Sequence, residues 1–140
     1  MNNRIVLSRP DAQRLRAVLA AYRGSYLDQE HLSDLHAEVE QARILDEAHM
    51  TADIVTIGSQ VRVRDSGTGT SGEYVLVLPD QVELRAGHIS VLAPLGTALL
   101  GYREGDNVEW QMPGGLRRLR IEKVRQPERK SSEREADRVN

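Results

Sequence analysis

Two periodicities of apolar residues divide the sequence near residue 50. Between residues 8 and 49 apolar side chains recur every three or four positions, the spacing of one helical face. The first series is Leu15, Val18, Leu19 and Tyr22, and the second is Leu32, Leu35, Val39 and Ala42, extended by Ile44 and Leu45. Gly24 and Ser25 separate the two series, so the pattern predicts an antiparallel helical hairpin that turns at about residues 23 to 28.

Local signals agree with two helix starts. Ser8 can cap the first helix, Pro10 fits its first turn, and Asp11 interacts favourably with the positive end of the helix dipole. Asp28 opens the second helix, whose apolar residues have the 3, 4, 3 spacing of a coiled-coil seam. The hairpin is therefore predicted to be a short coiled coil.

After residue 53 apolar and polar residues alternate, which is typical of half-buried strands. The alternation covers Val61 and Val63, Val82 and Leu84, Ile89 and Val91, Val108 and Trp110, and residues 116 to 124, with a bulge predicted where Arg117 and Arg118 break the period. Residues 74 to 78 are apolar throughout, which predicts a more buried strand. Residues 94 to 100 lack alternation and end at Gly101, which predicts a short helix. The predicted fold class is α+β, with the hairpin preceding an antiparallel sheet that carries one short helix.

Composition and charge narrow the function classes. The chain has 140 residues, no cysteine and a formal net charge of −2, which excludes thiolate metal sites and disulfides and argues against a dedicated duplex-binding module. No apolar run approaches the ~20 residues of a membrane helix, so we expect a cytoplasmic protein with no membrane partner. We divide the chain into a hairpin (1–50), a sheet domain (51–125) and a disordered charged tail (126–140).

Charge is distributed unevenly along the chain. Residues 28 to 48 contain seven acids and one arginine. Residues 116 to 125 contain one acid, Glu122, and five cations, namely Arg117, Arg118, Arg120, Lys123 and Arg125. Such asymmetry indicates internal pairing together with a surface that faces a partner. Whether the basic strand contacts nucleic acid is left open.

Motifs that suggest catalysis or cofactor binding have simpler structural interpretations. Residues 67 to 72 fit the GxGxxG dinucleotide pattern, but a strand rather than a helix follows, so we interpret them as a hairpin loop. His36 and Glu40 could share a metal ion on a helix, yet no third ligand is suitably spaced, and His31, His36 and His49 are interpreted as solvated. We predict no catalytic residue, metal or cofactor.

The acids near the hairpin turn allow two interpretations. Asp28, Glu30 and Asp34 could complete a magnesium site on another macromolecule, or they could cap the second helix and interact with its dipole. We favour the capping role, because side chains at i and i+2 of a helix point in nearly opposite directions.

The most specific segment runs from residue 87 to 101. It predicts a strand that passes through a proline-containing corner, Pro94-Leu95-Gly96, into a small apolar helix. An exposed apolar corner is a candidate contact site.

This segment and its flanks resemble the C-terminal domain of the GreA/GreB transcript-cleavage factors. The family's motifs are matched by Ile89-Ser90, Ala93-Pro94, Ala98-Leu99-Leu100-Gly101 and Gly105-Asp106, with Ala93 where the family usually has serine. The resemblance spans about residues 53 to 124. The short hairpin and residues 53 to 56 and 110 to 115 are more similar to one branch of the family, the regulators of nucleoside diphosphate kinase (Rnk).

The resemblance implies an FKBP-like sheet domain behind a coiled-coil finger, and binding to bacterial RNA polymerase at the rim of its secondary channel. The polymerase-binding residues would be Ser90, Val91, Ala93, Pro94, Leu95, Gly96 and Ala98. In the cleavage factors, an acidic pair at the tip of a long finger helps to hold a catalytic magnesium ion. We expect a binding protein that is a monomer in solution, with only indirect proximity to nucleic acid.

The expected finger differs from that of the cleavage factors. Its tip offers Asp28, Glu30 and Asp34 but lacks the family's Asp and Glu three apart followed by Asn. At ~1.5 Å per residue, its helices reach only about 22 to 32 Å. We therefore expect a short projecting finger that does not support transcript cleavage.

Two other functions stay open, namely a true cleavage factor that uses the tip acids to hold magnesium, and a direct regulator of nucleoside diphosphate kinase. The FKBP-like resemblance also suggests prolyl isomerase activity as a function. We do not expect it, because that pocket depends on an aromatic lining and the chain has one tryptophan and no phenylalanine.

Overall fold

The protein is described here from a computed structural model, which covers residues 5–25, 29–80, 87–112 and 114–127. In chain order the elements are β1 (Val6–Ser8), α1 (Arg9–Tyr22), α2 (Gln29–Gln41), β2 (Arg43–Leu45), a 3₁₀ turn (Glu47–His49), β3 (Gln60–Asp65), β4 (Ser71–Val77), β5 (His88–Ser90), α3 (Pro94–Leu99), β6 (Asn107–Met112) and β7 (Gly115–Arg125). The α+β class, the N-terminal helical hairpin and the short third helix are confirmed.

The first helix begins as predicted. The hydroxyl of Ser8 accepts a hydrogen bond from the backbone N–H of Asp11 at 3.2 Å, and Pro10 lies in the first turn. This cap satisfies one of the N–H groups that a helix leaves without an internal partner.

The second helix ends earlier than predicted. It stops at Gln41, and Ile44 and Leu45 belong to β2, so the prediction that they extend the helix is wrong. The reason is tertiary, because β2 pairs in parallel with β1 and places Ile44 opposite Leu7. Two three-residue strands therefore join the two ends of the hairpin at its base.

Within the described residues, the main sheet has five strands in the order β5-β4-β3-β7-β6. It is mixed rather than wholly antiparallel, since β5 runs parallel to β4. The predicted hairpin loop at residues 67 to 72 connects β3 to β4 and overlaps the start of β4. We call β3 to β7 together with α3 the C-terminal module.

The predicted bulge at Arg117 and Arg118 is wrong. Those residues keep a continuous register with β6, and the irregularity instead lies where Arg62 pairs with Lys123 while Val63 pairs with Ile121. The extra residue on β7, Glu122, resets the alternation along that strand, so that Ile121 and Val124 are both buried.

The described chain extends past the predicted start of the tail. Gln126 donates from its amide to the carbonyl oxygens of Ala52 and Ile54, both at 2.8 Å, so the tail does not begin at residue 126. Tail residues 128–140, the predicted strand at Val82 and Leu84, and Asp28 lie outside the described residues. The domain boundary near residue 50 stays a prediction.

The hairpin lies against the C-terminal module instead of projecting from it. Leu35 and Val39 of α2 are 0% exposed and belong to the same apolar core as Ile121 of the sheet. At the hairpin base, a carboxylate oxygen of Asp11 accepts a hydrogen bond from the Ile57 N–H at 3.1 Å. Near the tip, His31 contacts the module as well. The expectation of a projecting finger is therefore wrong.

The N-terminal strand crosses the module at Gly101. The Val6 N–H donates to the Gly101 carbonyl at 3.1 Å, and a β-carbon added to Gly101 would lie 2.5 Å from Cβ of Ile5. Gly101 also has φ of +85°, in the left-handed region that favours glycine. Both the close approach and the backbone conformation require a residue without a side chain here.

Replacing this glycine tests the crossing. Gly101→Ala is expected to destabilise more than Gly105→Ala, since Gly105 has φ of +94° but open space around its Cβ position. The left-handed conformation alone costs about 1–2 kcal/mol, and displacing Ile5 should add about 1–3 kcal/mol. Urea unfolding of both variants measures the difference; equal losses would contradict the crossing.

Candidate functional site

The corner between β5 and α3, residues 90 to 98, is held by its own short hydrogen bonds. The Ser90 hydroxyl accepts from the Leu92 N–H at 2.9 Å, and the Ser90 carbonyl accepts from the Ala93 N–H at 3.0 Å. A β-carbon on Gly96 would lie only 2.1 Å from the Ser90 carbonyl oxygen, so glycine is required there. We call this segment the α3 corner.

The seven predicted contact residues differ in exposure. Val91 and Gly96 are buried and support the turn rather than reach a partner. Pro94, at the start of α3, is exposed. The remaining four are half-buried: Ser90, Ala93, Leu95 and Ala98. Pro94 is thus the residue of the α3 corner that is most available to another molecule.

His31 attaches the tip region of the hairpin to the α3 corner. Its Nε2 atom lies 3.0 Å from the Leu92 carbonyl and 3.2 Å from the Thr97 hydroxyl. The Thr97 hydroxyl donates its own proton to the Val91 carbonyl at 2.9 Å. Nε2 therefore carries a proton and donates to both oxygen atoms. The interpretation of His31 as a solvated histidine is wrong.

Members of both groups of residues predicted for function line one groove. Glu30, Asp34 and Glu38 occupy the α2 wall at intervals of four residues, which places them on the same helical face. Pro94 and Ala98 lie on the α3 wall, and the open groove encloses about 730 Å³. We call it the acidic groove. The structure therefore brings two of the three predicted tip acids next to the predicted contact corner.

The sequence did not predict Glu38 as a site residue. Burial raises the pKa of its carboxyl, and the negative charge of Asp34 raises it further. Among the described residues, nothing donates a hydrogen bond to its buried Oε1 atom. Burial, together with the charges of Glu38 and Asp106, also raises the pKa of the hydroxyl of Tyr102, which lines the same groove. The acidic groove thus concentrates negative charge that its own walls do not fully compensate.

The sequence carried only a weak signal for His31 and Glu38. Both flank the buried stripe of α2 formed by Leu32, Leu35 and Val39. Residues that flank a stripe are half-buried when the helix packs on a second surface. The apolar spacing by itself does not reveal that surface.

Metal binding finds no support in the described part of the chain. No group of three or more His, Asp or Glu residues there is arranged to hold an ion. His36 and Glu40 approach to 3.9 Å on an exposed surface, where Glu40 also pairs with Arg16. Within the same residues, no helix combines the length and apolarity needed to cross a membrane.

Comparisons with known proteins place this fold. Residues 50–126 match the family described as "Transcription elongation factor, GreA/GreB, C-term". The chain belongs to the GreA/GreB family, and its relatives make it a regulator that resembles transcription elongation factors.

Individual relatives show which branch of the GreA/GreB family this chain is similar to. The chain is 34% identical to the "Regulator of nucleoside diphosphate kinase" of Escherichia coli strain K12, over 80% of this chain and 81% of that protein. It is 33% identical to GreA of Polaromonas naphthalenivorans, over 64% of this chain and 58% of that protein. A solved GreA/GreB factor from Nitrosomonas europaea superposes with a TM-score of 0.71 at 36% identity, covering 89% of this chain and 99% of that one.

The charge in the acidic groove yields a pH-dependent prediction. Because folding raises the pKa of Glu38, the ionised carboxylate destabilises the folded state as pH rises through that pKa. Glu38→Gln should therefore raise the melting temperature at pH 7. The gain should disappear below about pH 4, where glutamate is protonated in both folded and unfolded chains.

Thermal unfolding between about pH 3 and 8 provides the measurement, and Glu40→Gln provides the control. Glu40 is exposed and pairs with Arg16 at 3.4 Å, so its replacement should change stability by less than about 1 kcal/mol. A Glu38→Gln variant that is less stable than the parent at pH 7 would contradict the interpretation.

Proposed function

We propose that the protein is a regulator that binds bacterial RNA polymerase at the rim of the secondary channel through the α3 corner, without cleaving transcripts. The observation that carries the proposal is the exposed Pro94 on a corner whose sequence motifs and structure belong to the GreA/GreB family. Family membership supplies the class of partner, and the corner supplies a surface suited to it.

The rigidity of the α3 corner supports its use in recognition. Gly96 allows close packing on Ser90, and Thr97 donates to the backbone of Val91, so the turn is fixed before any partner arrives. A preorganised surface loses less conformational entropy on binding. A mobile loop of the same composition would bind more weakly.

The acidic groove beside the corner adds a charge preference. Glu30, Asp34 and Glu38 face the same opening as Pro94. A partner helix that contacts Pro94 and carries basic residues on its flank would meet complementary charge. Such complementarity accelerates association and fixes orientation, and salt weakens it.

The packing of the hairpin supports a role without cleavage. With 14 and 13 residues, α1 and α2 are each about 20 Å long. Glu30 and Asp34 line the groove beside the protein's own α3 corner. A cleavage factor needs carboxylates at the end of an arm that reaches a distant metal ion, and these two carboxylates are not carried on such an arm.

The similarity to the regulators of nucleoside diphosphate kinase favours a second candidate function. The name of the Escherichia coli relative, matched over 80% of this chain, mentions that kinase. A direct complex with the kinase is the alternative to an effect through transcription. The binding experiment below therefore includes the purified kinase as a second target.

Replacing Pro94 tests the docking surface. Pro94 occupies the first turn of α3, where glutamate is also well tolerated, so Pro94→Glu should preserve the fold. We expect it to weaken binding to core RNA polymerase at least tenfold, because it places a charge at the centre of the contact. Leu95 is less suitable for replacement, since it packs against the core.

Ala37→Glu provides the matched control for this experiment. Ala37 is exposed on α2, outside the acidic groove, and its replacement adds a carboxylate as well. Binding is measured by surface-immobilised polymerase titration, with nucleoside diphosphate kinase on a parallel surface. Equal affinity of the Pro94→Glu variant and the parent for polymerase would place the contact elsewhere. Binding to the kinase alone would favour the second candidate.

A transcript-cleavage assay tests the absence of catalysis. Added to backtracked polymerase complexes with magnesium, the protein should shorten the RNA no more than buffer does, whereas a cleavage factor of the family should shorten it. The physical reason is the position of Glu30 and Asp34 against their own module. RNA shortening that is lost in a Glu30→Gln, Asp34→Asn variant would instead establish the cleavage function.

A further inference from the structure

The basic run at residues 117 to 125 is divided between the two faces of the sheet. Arg117 forms an ion pair with the buried Asp65, on the face that also carries Leu119 and Ile121. The cations at alternate positions of β7 point to the opposite face. The function proposed above makes no use of them.

The register of the strands assembles these cations into one surface. Arg64 pairs with Arg120 across β3 and β7, and Arg62 pairs with Lys123. Together with their neighbours on the same face they form a group of six exposed cations, which we call the cationic sheet face: Arg62, Arg64, Arg118, Arg120, Lys123 and Arg125. The chain as a whole carries a formal net charge of −2, so this concentration is local.

Three carboxylates interrupt the cationic sheet face without neutralising it. Glu122 lies 3.1 Å from Arg62 and 3.9 Å from Arg64, Glu73 lies 3.4 Å from Arg62, and Glu109 lies 3.3 Å from Arg118. Among the described residues, Arg120, Lys123 and Arg125 form no ion pair. The face therefore carries three cations in excess.

Cross-strand like charges make this face costly for the fold. Residues directly opposite in a sheet interact, and like charges in such pairs are destabilising. Arg64 opposite Arg120 and Arg62 opposite Lys123 are two such pairs. A face that only needed to be soluble could alternate signs and avoid this repulsion. An anionic ligand would relieve it.

We propose that the cationic sheet face binds the phosphodiester backbone of nucleic acid. Five of its six cations are arginines, whose planar guanidinium group donates two parallel hydrogen bonds to a phosphate. Alternate residues of a strand repeat at about 6.7 Å, and neighbouring strands lie about 4.8 Å apart, which gives two adjacent rows of donors. A run of phosphates can lie along such rows.

The location of the face makes this function compatible with docking through the α3 corner. Leu95 of α3 lies in a small groove with Val63 and Leu119, on the face of the sheet opposite to Arg62 and Arg64. Arg118 also lines the acidic groove, so a protein bound at the α3 corner would leave the other five cations of the cationic sheet face accessible. The proposal therefore extends the polymerase-binding function and does not depend on it.

Fluorescence anisotropy with the full chain tests the proposal. The probes are a labelled single-stranded RNA of about 20 nucleotides, single-stranded DNA of the same sequence, and duplex DNA, each titrated between about 50 and 200 mM salt. We expect binding that weakens with salt. In a plot of log affinity against log salt concentration, each phosphate contact contributes a negative slope of about 0.7 for single strands and about 0.9 for duplex DNA. Comparing the three probes identifies which nucleic acid is preferred.

The decisive variant replaces the three cations without ion pairs, as Arg120→Gln, Lys123→Gln and Arg125→Gln. This variant should bind nucleic acid at least tenfold more weakly at about 50 mM salt. Its salt-dependence slope for single strands should be smaller in magnitude by about two. The matched control, Arg16→Gln, Arg23→Gln and Arg43→Gln, removes the same charge from exposed positions in the hairpin region. The affinity of this control for nucleic acid should stay within about twofold of that of the parent.

Several outcomes would overturn the proposal. One is an equal loss of affinity in both triple variants, which would indicate a response to net charge alone. Another is unchanged affinity in the sheet variant, with circular dichroism verifying that it is folded. A third is binding of polyglutamate, or of vesicles containing anionic lipid, as tightly as nucleic acid. Because no polymerase is present, these results do not bear on docking through the α3 corner.

Discussion

The burial of the apolar stripe of α2 in a core shared with α1 and the C-terminal module is the interaction on which the rest of the structure depends. Leu35 and Val39 are 0% exposed, and Leu15 of α1 is buried with them. Each such side chain contributes about 1.5–3 kcal/mol on burial, whereas a whole domain is stable by only about 5–15 kcal/mol. Loss of this shared core would therefore cost an amount comparable to unfolding. The acidic groove is consequently a fixed feature rather than a transient one.

This fixed geometry changes the role that the acidic residues of α2 can have. On a free arm, carboxylates act wherever the arm reaches, which is what a metal-dependent cleavage function requires. Here the hydrogen bonds of His31 to Leu92 and Thr97 hold the start of α2 on the α3 corner. Glu30 and Asp34 thereby become part of the same surface as Pro94. One composite surface, apolar at its edge and acidic in its groove, replaces two separate sites.

Local signals predicted most of the elements, and tertiary contacts decided the rest. The Ser8 cap, the short helix after Pro94 and the turns between strands follow from nearby residues, and the structure contains them. The three-residue strands β1 and β2 are too short to show a period. Ile44 therefore fits the helical spacing in the sequence, although it pairs with Leu7 in the structure. A coiled-coil seam and a hairpin packed on a sheet require the same apolar spacing, which is why the sequence did not distinguish them. The α3 corner was identified by its motifs, but the contact of His31 with it joins residues 61 and 66 positions apart.

The bulge at Glu122 shows how register links the core to the surface charge. With strict alternation, the burial of Leu119 and Ile121 would continue at residue 123 and turn a lysine toward the core. The extra residue shifts the alternation, so that Val124 is buried instead and Lys123 is exposed. It also places a carboxylate within 4 Å of both Arg62 and Arg64, which lowers their mutual repulsion. The same irregularity thus completes the core on one face and allows like charges to accumulate on the other. A sheet without it would have to give up either Val124 in the core or the cation at position 123.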